Sequence, residues 1–571
     1  MCGIFALLNV YKNNLIPTDQ VKAAFEKGKN RGPEFSKLDD SYFKMTLGFH
    51  RLAINGLNDA SNQPIVINDI ILICNGEIYN YKTLYQYMNI TPKTDSDCEV
   101  IIHLYKKYGI EQTLTMLDGV FSFILLDNRM SDSLCNNVYI ARDPLGVRPL
   151  YKLTQNACNT TFYGFASEMK CLNNLENQFT ETSVKDICQF TPGTYSVFEL
   201  NSKVNAIWKP LHENIRYFTP SFSHSPFLDK NIILFYKRNN ISVYLENAVN
   251  KRCITTERPI ACLLSGGLDS SLITALVNNY YKLNNIAQKL ETYSIGLEGS
   301  EDLKHARTVA DYLGTNHTEI IVTEKEMFEA IPEVIYAIES YDTTTVRASI
   351  GNYLLGKYIS AHSNAKVIFN GDGSDELCGG YLYMNNCSDN IEFDKETRRL
   401  LKDIHIFDVL RSDKCISSHG LEPRTPFLDK NFVNHYLSIP LMYRFHKNNG
   451  QCEKFLLRNS FSKDYFQDYE GKQLLPDEIL WRRKEAFSDG VSTQGRSLYT
   501  ILQEHIACHI SRSDCKPIEE ICVNIELEKA YYKRLFDSNF SNVENILPYY
   551  WMPKYTNATD PSARTLEIYK M

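Results

Sequence analysis

Residues 259–283 read PIACLLSGGLDSSLITALVNNYYKL, and this stretch decides how the second half of the chain folds. The run PIACLL predicts a short buried strand, SGGLDSS a loop, and the remainder a helix. Glycines let backbone N–H groups come close to an anion, and the N-terminus of the following helix adds positive potential. The stretch therefore predicts a phosphate-binding loop, with phosphate contacts from Ser265, Gly266, Gly267 and Ser270.

Asp269 lies within this loop and would repel phosphate by itself, because both groups are negatively charged. It is interpreted as a ligand of Mg²⁺, which would bridge the carboxylate to the phosphates of ATP. The chain contains no G-x-x-x-x-G-K-[ST] motif, so the loop is not of the Walker type. An ordinary Gly-Gly turn is the alternative interpretation, and the complete strand-loop-helix string argues against it.

Strands and helices alternate on both sides of this loop from about residue 240 onwards. TYSIGL, HTEIIVT and KVIFN read as strands, LKHARTVADYLG and NYLLGKYISAH as helices, and one long helix ends near residue 339. Such alternation predicts a parallel sheet with helices on both faces. Beyond about residue 390 the pattern is mostly helical.

A second polar loop, GDGSDE at residues 371–376, follows the strand KVIFN. Ligands of parallel sheets bind beyond the carboxyl ends of the strands, so this loop is expected beside the first one. Asp375 is interpreted as a second Mg²⁺ ligand facing Asp269, and Asp372 as an acid near the reacting centre. A solvated acidic turn is the alternative.

The first half of the chain has a different pattern. Residues 2–208 contain short runs of alternating apolar residues, including GIFALLNV, MTLGFHRLAI, DIILICNGEIY and VFSFILLD, with helices only near 19–28 and 98–116. This pattern predicts an α+β domain with largely antiparallel sheets. A stretch rich in Ser and Pro follows, so the predicted division is 2–208, a linker at 209–239, and a second domain at 240–571.

Length and composition limit the class of protein. A chain of 571 residues is too long for one hydrophobic core, and its net charge of −7 argues against a nucleic-acid-binding surface. No apolar run approaches the roughly 20 residues that a membrane helix needs. The 16 cysteines are scattered and form no C-x-x-C pair, which favours free thiols and a cytoplasmic protein.

The chain starts Met1-Cys2-Gly3, and this start predicts a nucleophile. If Met1 is removed, Cys2 carries both a thiol and a free α-amine, which titrates near ~7.7–8.0 and can accept the proton of the thiol. The alternative is a small cysteine without a chemical role.

The order of these motifs resembles that of glutamine-dependent asparagine synthetases. RGPE, FHRLAI, NGEIYN, SDCEVI and ARDPLGVRPLY occur in the first half, and ESYDTTTVRAS, GDGSDELCGGY, GLEPRTPFLDK, WRRKEAFSDGV and DPSARTL in the second. The resemblance implies a class II glutamine amidotransferase domain with the N-terminal nucleophile (Ntn) fold, a four-layer αββα sandwich. An α/β ATP pyrophosphatase domain with a helical C-terminal part would follow it.

In the first domain, the resemblance implies that Cys2 attacks the glutamine amide and that Asn75 and the N–H of Gly76 form the oxyanion hole. Arg51 would bind the substrate α-carboxylate, and Glu77 and Asp97 would accept hydrogen bonds from its ammonium and amide. The glutamine-binding set is completed by Leu52, Ala53, Ile54 and Asn55.

In the second domain, the resemblance implies that aspartate and MgATP form β-aspartyl-AMP and pyrophosphate, and that ammonia from the first site then displaces AMP. Lys484 would stabilise charge on the phosphates. The contacts to AMP would come from Leu263, Ile295, Asn370 and Gly371, and those to aspartate or the intermediate from Thr344 and Arg347.

Three positions depart from the family pattern. Asp372 stands where Glu is usual, Asn370 where Ser is usual, and Glu34 where Asp is usual. The shorter acid withdraws the carboxylate by roughly 1.5 Å, and a misplacement of that order can cost about 10²-fold in rate unless the pocket compensates. We expect activity to survive, at a lower rate.

The resemblance implies the small-molecule substrates L-glutamine, L-aspartate and ATP, with Mg²⁺, and a homodimer. One alternative keeps both half-reactions but adenylates a different carboxylic acid. Another is a non-catalytic sensor, which would have lost Cys2 or the phosphate loop. Stretches near 130–136, 154–161 and 505–527 read as surface insertions.

Overall fold

The computed structural model describes most of the chain. The described residues are 1–10, 16–129, 135–157, 160–175, 185–201, 206–220, 230–493, 495–514, 522–541, 543 and 546–570.

The N-terminal part is built from antiparallel strands with few helices. Its strands are β1 Gly3–Leu8, β2 Phe35–Asp39, β3 Met45–Arg51, β4 Ile65–Ile67, β5 Ile70–Ile78, β6 Gly119–Asp127, β7 Cys135–Arg142, β8 Tyr151–Ala157, β9 Thr160–Ala166, β10 Lys185–Gln189, β11 Thr194–Asn201 and β12 Trp208–Arg216. Its helices are α1 Thr18–Glu26, α2 Tyr81–Met88, α3 Val100–Met116 and α4 Lys170–Asn173. The strands form two six-stranded sheets, β10-β8-β9-β1-β3-β2 and β12-β11-β7-β6-β5-β4.

The alternation of side chains along these strands produces four layers. Ile71 and Ile73 of β5 pack into a core between the two sheets, together with Ile4 and Leu47 from the first sheet. The intervening residues Ile70, Leu72 and Cys74 face the opposite way and pack against α2 and α3. Phe5 and Leu7 of β1 pack against α1. The predicted αββα sandwich is confirmed, because central strands such as β1 and β5 bury apolar side chains on both faces.

The second part contains one parallel sheet and many helices. Its strands are β13 Ile260–Leu263, β14 Glu291–Gly296, β15 Asn316–Ile321, β16 Val367–Phe369 and β17 Glu422–Arg424, in the order β15-β14-β13-β16-β17. Its helices are α5 Lys230–Ile254, α6 Leu268–Leu283, α7 Glu301–Leu313, α8 Glu324–Glu329, α9 Ile331–Ile338, α10 Thr343–His362, α11 Ser374–Cys378, α12 Asn390–Asp403, α13 Asp408–Ser417, α14 Lys430–Leu437, α15 Leu441–Arg444, α16 Phe455–Ser460, α17 Asp477–Leu480, α18 Phe487–Gly490, α19 Leu498–Asp514, α20 Ile525–Asn539 and α21 Glu567–Lys570.

The central strand β13 shows why helices cover both faces of this sheet. Ala261 and Leu263 join an apolar core with α9 and α10 on one face. Ile260 and Cys262 join a different core with α5, α6 and α7 on the other. A strand buried on both sides needs an unbroken apolar run, and PIACLL provides it. The predicted α/β fold is confirmed.

Some elements differ from the sequence-based expectation. The long helix predicted to end near 339 is two helices, α8 and α9, and Pro332 lies in the first turn of α9, where its missing N–H costs no helical hydrogen bond. The short strand β17 was not predicted, because Glu-Pro-Arg has no apolar pattern.

The predicted linker 209–239 contains regular structure at both ends. Residues 208–216 form the edge strand β12, which pairs with β11, and α5 begins at Lys230. Residues 221–229 lie outside the described residues, as do 130–134, 158–159 and 515–521 from the predicted insertions. The domain boundaries remain predictions.

Two general features bear on the class of protein. No helix in the described part of the chain is both long enough and apolar enough to cross a membrane. The cysteines that the structure describes are free thiols.

Candidate active sites

The first candidate site lies at the start of β1, where Cys2 precedes the first strand residue. The Cys2 Sγ lies 3.6 Å from the carbonyl oxygen of Leu52, which directly follows β3. Burial raises the pKa of the thiol, although the neighbouring α-amine acts in the opposite direction. A buried thiol with a raised pKa needs a base beside it to become a nucleophile.

The α-amine is the group positioned to act as that base. In the chain with its initiator residue, the Met1 amine donates to the carbonyl of Leu421 over 3.0 Å, and burial lowers its pKa to about 5. The Met1 amine is therefore neutral near pH 7, and neutrality is the state that a general base requires.

Asn75 and Gly76 lie on β5 beside this cysteine. The Asn75 Nδ2 donates to Ser167 Oγ over 3.3 Å, and the same hydroxyl oxygen accepts from the N–H of Ile4 over 3.1 Å. The amides of Cys74 and Ile78 bond to side chains rather than to β6. Successive N–H groups along a strand point to opposite edges. The Gly76 N–H therefore points to the same edge of β5 as the N–H groups of Cys74 and Ile78, away from β6, where it can donate to a developing oxyanion.

Arg51 at the end of β3 is held by the loop that follows it. Its Nη1 donates to Asn62 Oδ1 over 2.6 Å and to the Asn58 carbonyl over 3.0 Å, and its Nη2 donates to the Gly56 carbonyl. These contacts fix the plane of the guanidinium. A fixed, planar donor is suited to a carboxylate.

Glu77 and Asp97 form a buried acidic pair next to this arginine. Burial raises the pKa of Asp97 to about 6, against the opposing hydrogen bond from the Ile78 N–H. Burial, reinforced by Asp97, also raises the pKa of Glu77 well above its usual range. Asn55 Nδ2 donates to Glu77 over 2.6 Å. Two desolvated carboxylates of this kind would be stabilised by a substrate ammonium group.

Two nearby residues have structural roles. His50 bonds through its two ring nitrogens to Ser36 Oγ at 2.7 Å and to the Phe25 carbonyl at 2.9 Å, which leaves no ring nitrogen for catalysis. Glu34 accepts from the Ala53 N–H over 2.7 Å and pairs with Arg258 at 2.8 Å. The longer acid at position 34 therefore orients the glutamine-binding stretch and contacts the second part of the chain.

The second candidate site is a cavity of about 200 Å³ at the carboxyl edge of the parallel sheet. It is lined by most of the residues predicted for ATP and aspartate: Leu263, Ser265, Gly267, Asp269, Ser270, Ile295, Thr344, Asn370, Gly371, Asp372, Asp375 and Lys484. Gly266 does not line the cavity, but its φ of +71°, which suits glycine, allows the turn of the loop.

The two polar loops meet closely at Gly371. A Cβ at this position would lie 2.7 Å from backbone atoms of Asp269 and Ser270, so a larger residue would push the phosphate loop away. This close approach brings Asp269 and Asp375 together, as the sequence predicted from the adjacent strand ends.

Lys454 and Lys484 neutralise this acidic pair. The Lys454 Nζ lies 2.6 Å from Asp269 Oδ2 and 2.6 Å from Asp375 Oδ1, and the Lys484 Nζ lies 2.6 Å from Asp375 Oδ2. Burial alone would raise the pKa of Asp375, but the two lysines outweigh it and hold the pKa below its usual range. The two acids and the two lysines therefore form one charge-paired cluster at the mouth of the phosphate loop.

Lys454 and Arg411 are cavity residues that sequence reasoning missed. Lys454 immediately precedes α16, and Arg411 lies on α13. Arg411 Nη2 contacts Asp372 Oδ1 at 3.1 Å and Asp408 Oδ1 at 3.0 Å. Neither residue lies in a glycine-rich or acidic loop, so no local signal identified them.

Asn370 adapts the backbone around Asp372. Its Oδ1 accepts from the Asp372 N–H over 3.3 Å, and its Nδ2 donates to Ser412 Oγ over 2.6 Å. The two departures from the family pattern are therefore in direct contact, and α13 supports both through Arg411 and Ser412.

Thr344 and Arg347 both lie on α10 but face different surroundings. The Thr344 hydroxyl is buried in the cavity wall and has no hydrogen-bond partner among the residues that the structure describes, as expected of a ligand contact. Arg347 is not among the cavity-lining residues, and its guanidinium bonds to Glu528 at 2.6 Å and Asp560 at 2.7 Å. The structure thus does not bring Arg347 to the predicted aspartate site.

The two sites are joined by a short polar path through α13. Arg31 donates to the Cys2 carbonyl over 2.9 Å and pairs with Asp413 at 2.7 Å. Asp413 lies two residues from Arg411, which contacts Asp372. The thiol and the acid therefore lie on opposite sides of one helix.

Two family models match this chain. One, described as a glutamine amidotransferase domain, matches residues 1–221. The other, described as asparagine synthase, matches residues 240–391 and 386–541.

Full-length relatives are named asparagine synthetase [glutamine-hydrolyzing]. The protein from Gallus gallus is 41% identical over 590 residues, and that from Bos taurus 40% over 584 residues. The human protein is 39% identical over 593 residues. Each alignment covers 100% of this chain and 99% of the relative.

Proposed function

The chain belongs to the family of glutamine-hydrolysing asparagine synthetases, and on that premise we propose which of its residues carry each half of the reaction. The enzyme is an ATP-dependent ligase with glutamine as nitrogen donor. Its overall reaction converts ATP, L-aspartate, L-glutamine and water to AMP, pyrophosphate, L-asparagine and L-glutamate.

In the first half-reaction, Cys2 is the nucleophile once Met1 has been removed. Its α-amine accepts the thiol proton, and the sulfur attacks the amide carbon of glutamine. Asn75 Nδ2 and the Gly76 N–H donate to the oxygen on which negative charge develops. Ammonia leaves, and water hydrolyses the glutamyl thioester.

Substrate orientation in this half depends on complementary charges. Arg51 binds the α-carboxylate of glutamine, and Glu77 with Asp97 binds its α-ammonium. The backbone from Leu52 to Asn55 forms the adjoining wall. The support for this assignment is the burial of both carboxylates, of which Glu77 pairs with Arg424 at 3.5 Å.

In the second half-reaction, the glycine-rich loop holds the phosphates of ATP. Ser265, Gly266, Gly267 and Ser270 provide backbone N–H and hydroxyl donors, while Leu263 and Ile295 contact the nucleoside. Asn370 and Gly371 adjoin the AMP moiety. Lys484 and Lys454 stabilise charge that develops on the phosphates as pyrophosphate leaves.

Asp269 and Asp375 are proposed to hold Mg²⁺ with ATP. Mg²⁺ typically binds one or two carboxylates together with substrate phosphates, and these two carboxylates lie close enough to share the neighbours Lys454 and Lys484. The donor set therefore fits. When bound, the ion would neutralise phosphate charge.

Thr344 and Asp372 adjoin the aspartyl group. The buried Thr344 hydroxyl supports a contact with aspartate, and we assign to Asp372, which lines the same cavity, the role of accepting a proton from the attacking ammonia. Ammonia would travel from Cys2 past α13 to this acid. The single observation that carries the assignment is the convergence of both polar loops on Lys454 and Lys484.

The test of this function is product analysis with amide-¹⁵N glutamine, aspartate and MgATP. Labelled asparagine, AMP and pyrophosphate should appear in equal amounts, and other carboxylic acids should not replace aspartate. ADP as the nucleotide product, or faster adenylation of another acid, would contradict it.

We also propose a cytoplasmic homodimer. The free thiols of the described cysteines support a reducing compartment, and the family resemblance supports the dimer. Sedimentation analysis of the purified protein and fractionation of the cells that make it would test both statements.

A further inference from the structure

The C-terminal segment, defined here as residues 546–570, forms one wall of the synthetase cavity. Five of its residues line the space that also contains both polar loops: Trp551, Pro553, Pro561, Ala563 and Leu566. Trp551 and Leu566 are each only 6% exposed. Their contribution is mostly apolar, and none of them has a place in either half-reaction as described above.

The segment is fixed at its base by buried polar contacts. The Trp551 N–H donates to Asp342 Oδ1 over 2.8 Å, at the N-terminus of α10. Asp560 pairs with Arg347 at 2.7 Å, and the Arg347 side chain is 3% exposed. Arg347 therefore contributes to the cavity indirectly, by holding the wall.

Two further contacts tie the segment to the stretch that carries Lys484. Arg564 Nη2 donates to Glu485 Oε1 over 2.6 Å, and Ser562 Oγ donates to Asp489 Oδ1 over 2.7 Å. Arg564 is itself largely buried, at 9% exposure, and also donates to the Thr493 carbonyl over 2.7 Å. The wall and the phosphate-binding lysine are thus one connected unit.

The chemistry of the intermediate gives such a wall a purpose. Aspartyl-adenylate is a mixed anhydride that must persist until ammonia arrives from Cys2. Ammonia attacks the β-carbonyl carbon, forms a C–N bond and displaces AMP as the C–O bond breaks. Water attacking the same carbon forms a C–O bond, also displaces AMP, and returns aspartate with its proton lost to solvent. Enclosure of the site limits this second reaction.

We propose that the C-terminal segment keeps water from the aspartyl-adenylate, and that Arg564 is the positioning residue that holds this wall closed. The inference rests on the proposed function. In this proposal the segment affects whether aspartyl-adenylate reacts with ammonia or with water, and it does not affect how aspartyl-adenylate is formed.

Full-length Arg564→Ala and Ser562→Ala enzymes test this inference in H₂¹⁸O with aspartate and MgATP, with and without ammonia. The amount of AMP formed per asparagine should rise several-fold in the variants. ¹⁸O should enter the β-carboxylate of recovered aspartate, and AMP should form without any nitrogen donor.

A control variant separates this effect from general destabilisation. Lys533→Ala removes an exposed ion pair with Asp537 on α20 and should leave the ratio of AMP to asparagine unchanged. Glutaminase activity reports whether each variant is folded. If Arg564→Ala does not fold, Ser562→Ala decides, because it loses the bond to Asp489 but retains the contacts of the Arg564 guanidinium with Glu485 and Thr493.

The outcomes are distinguishable. If AMP and asparagine fall together at a constant ratio, without ¹⁸O in aspartate, the segment is only a structural anchor and the inference is overturned. If the unaltered enzyme forms no AMP, the proposed function fails instead.

Discussion

Arg411 Nη2 lies 3.1 Å from Oδ1 of Asp372, so the acid that departs from the family pattern is held from one side by a buried cation. The same guanidinium contacts Asp408 at 3.0 Å. Arg411 and Asn370 together define where the shorter acid can lie. The pocket is thus built around an aspartate at this position.

Replacement of Asp372 by either a smaller or a larger residue should impair asparagine synthesis. Asp372→Ala should lower asparagine formation about 10²-fold, since the attacking ammonia loses its proton acceptor. Asp372→Glu should also lower it, because the longer acid shifts the carboxylate by roughly 1.5 Å. Steady-state asparagine formation at saturating ammonia measures both. Glutaminase activity should persist in both variants. The matched control is Asp464→Ala, which replaces an exposed aspartate. If Asp372→Ala synthesised asparagine at the full rate, Asp372 would not be the proton acceptor.

The thiol should be needed for glutamine use alone. Cys2→Ala should reduce glutamine-dependent synthesis by more than about 10³-fold, because the thiol that forms the glutamyl thioester is lost. Ammonia-dependent synthesis should be unchanged, since that site lies on the far side of α13. Cys188→Ala, on the distant strand β10, is the control. Loss of both activities in a folded Cys2→Ala protein would contradict the division of labour.

Glutamine binding should weaken in acid. Asp97 has a pKa of about 6 in the folded protein, so it is ionised above that pH and neutral below it. A neutral acid attracts the substrate ammonium less, and the KM for glutamine should therefore rise as the pH falls through about 6. Glutaminase assays between roughly pH 5 and pH 8 would measure this change in the KM for glutamine.

A variant identifies the titrating group. Asp97→Asn should have a raised KM at every pH and should lose the dependence near pH 6. The exposed Asp40→Asn should behave as the unaltered enzyme. If the dependence survives in Asp97→Asn, the group that titrates is another one.

Arg347 should govern stability rather than direct contact with aspartate. Arg347→Met leaves Glu528 and Asp560 buried without their cation, which should lower the free energy of unfolding by about 3–5 kcal/mol. Denaturant titration measures this. Arg307→Met, which removes the half-exposed pair with Glu319, should cost less than about 1 kcal/mol. A raised KM for aspartate with unaltered stability would restore the sequence-based assignment.

Removal of the divalent ion should separate the two halves of the enzyme. A chelator should stop pyrophosphate formation, because Asp269 and Asp375 would then face the phosphates without a bridging cation. Glutaminase activity should continue, since the first half-reaction as proposed depends on Cys2 and not on Asp269 or Asp375. Added Mg²⁺ should restore synthesis. Pyrophosphate formation that is insensitive to chelation would leave Lys454 and Lys484 as the only cations required.

Contiguous motifs were the features that could be predicted from the sequence. Cys2, the loop at 265–271 and the loop at 371–376 each occur at the end or start of a strand whose apolar pattern is clear, so both their identity and their position follow from local signals. The two sandwich sheets follow from strand alternation in the same way.

Residues brought in by tertiary packing could not be predicted. Lys454 and Arg411 come from helical regions with ordinary charge patterns, and only the folded chain shows that they face the cavity. For Arg347, the motif identified the residue but not the direction in which its side chain points. Thr344 and Arg347 are three residues apart on one helix, yet only the first reaches the cavity, because Glu528 and Asp560 approach the other from α20 and the C-terminal segment.

The contact between the Met1 amine and the Leu421 carbonyl joins the start of the chain to its second part. Met1 is 1% exposed, so a folded molecule that keeps this residue offers an aminopeptidase little access to it. Such a molecule lacks the free α-amine of Cys2 and would be unable to use glutamine, although its ATP-dependent half could still work with ammonia. Burial of Met1 therefore favours its removal before the two parts of the chain meet.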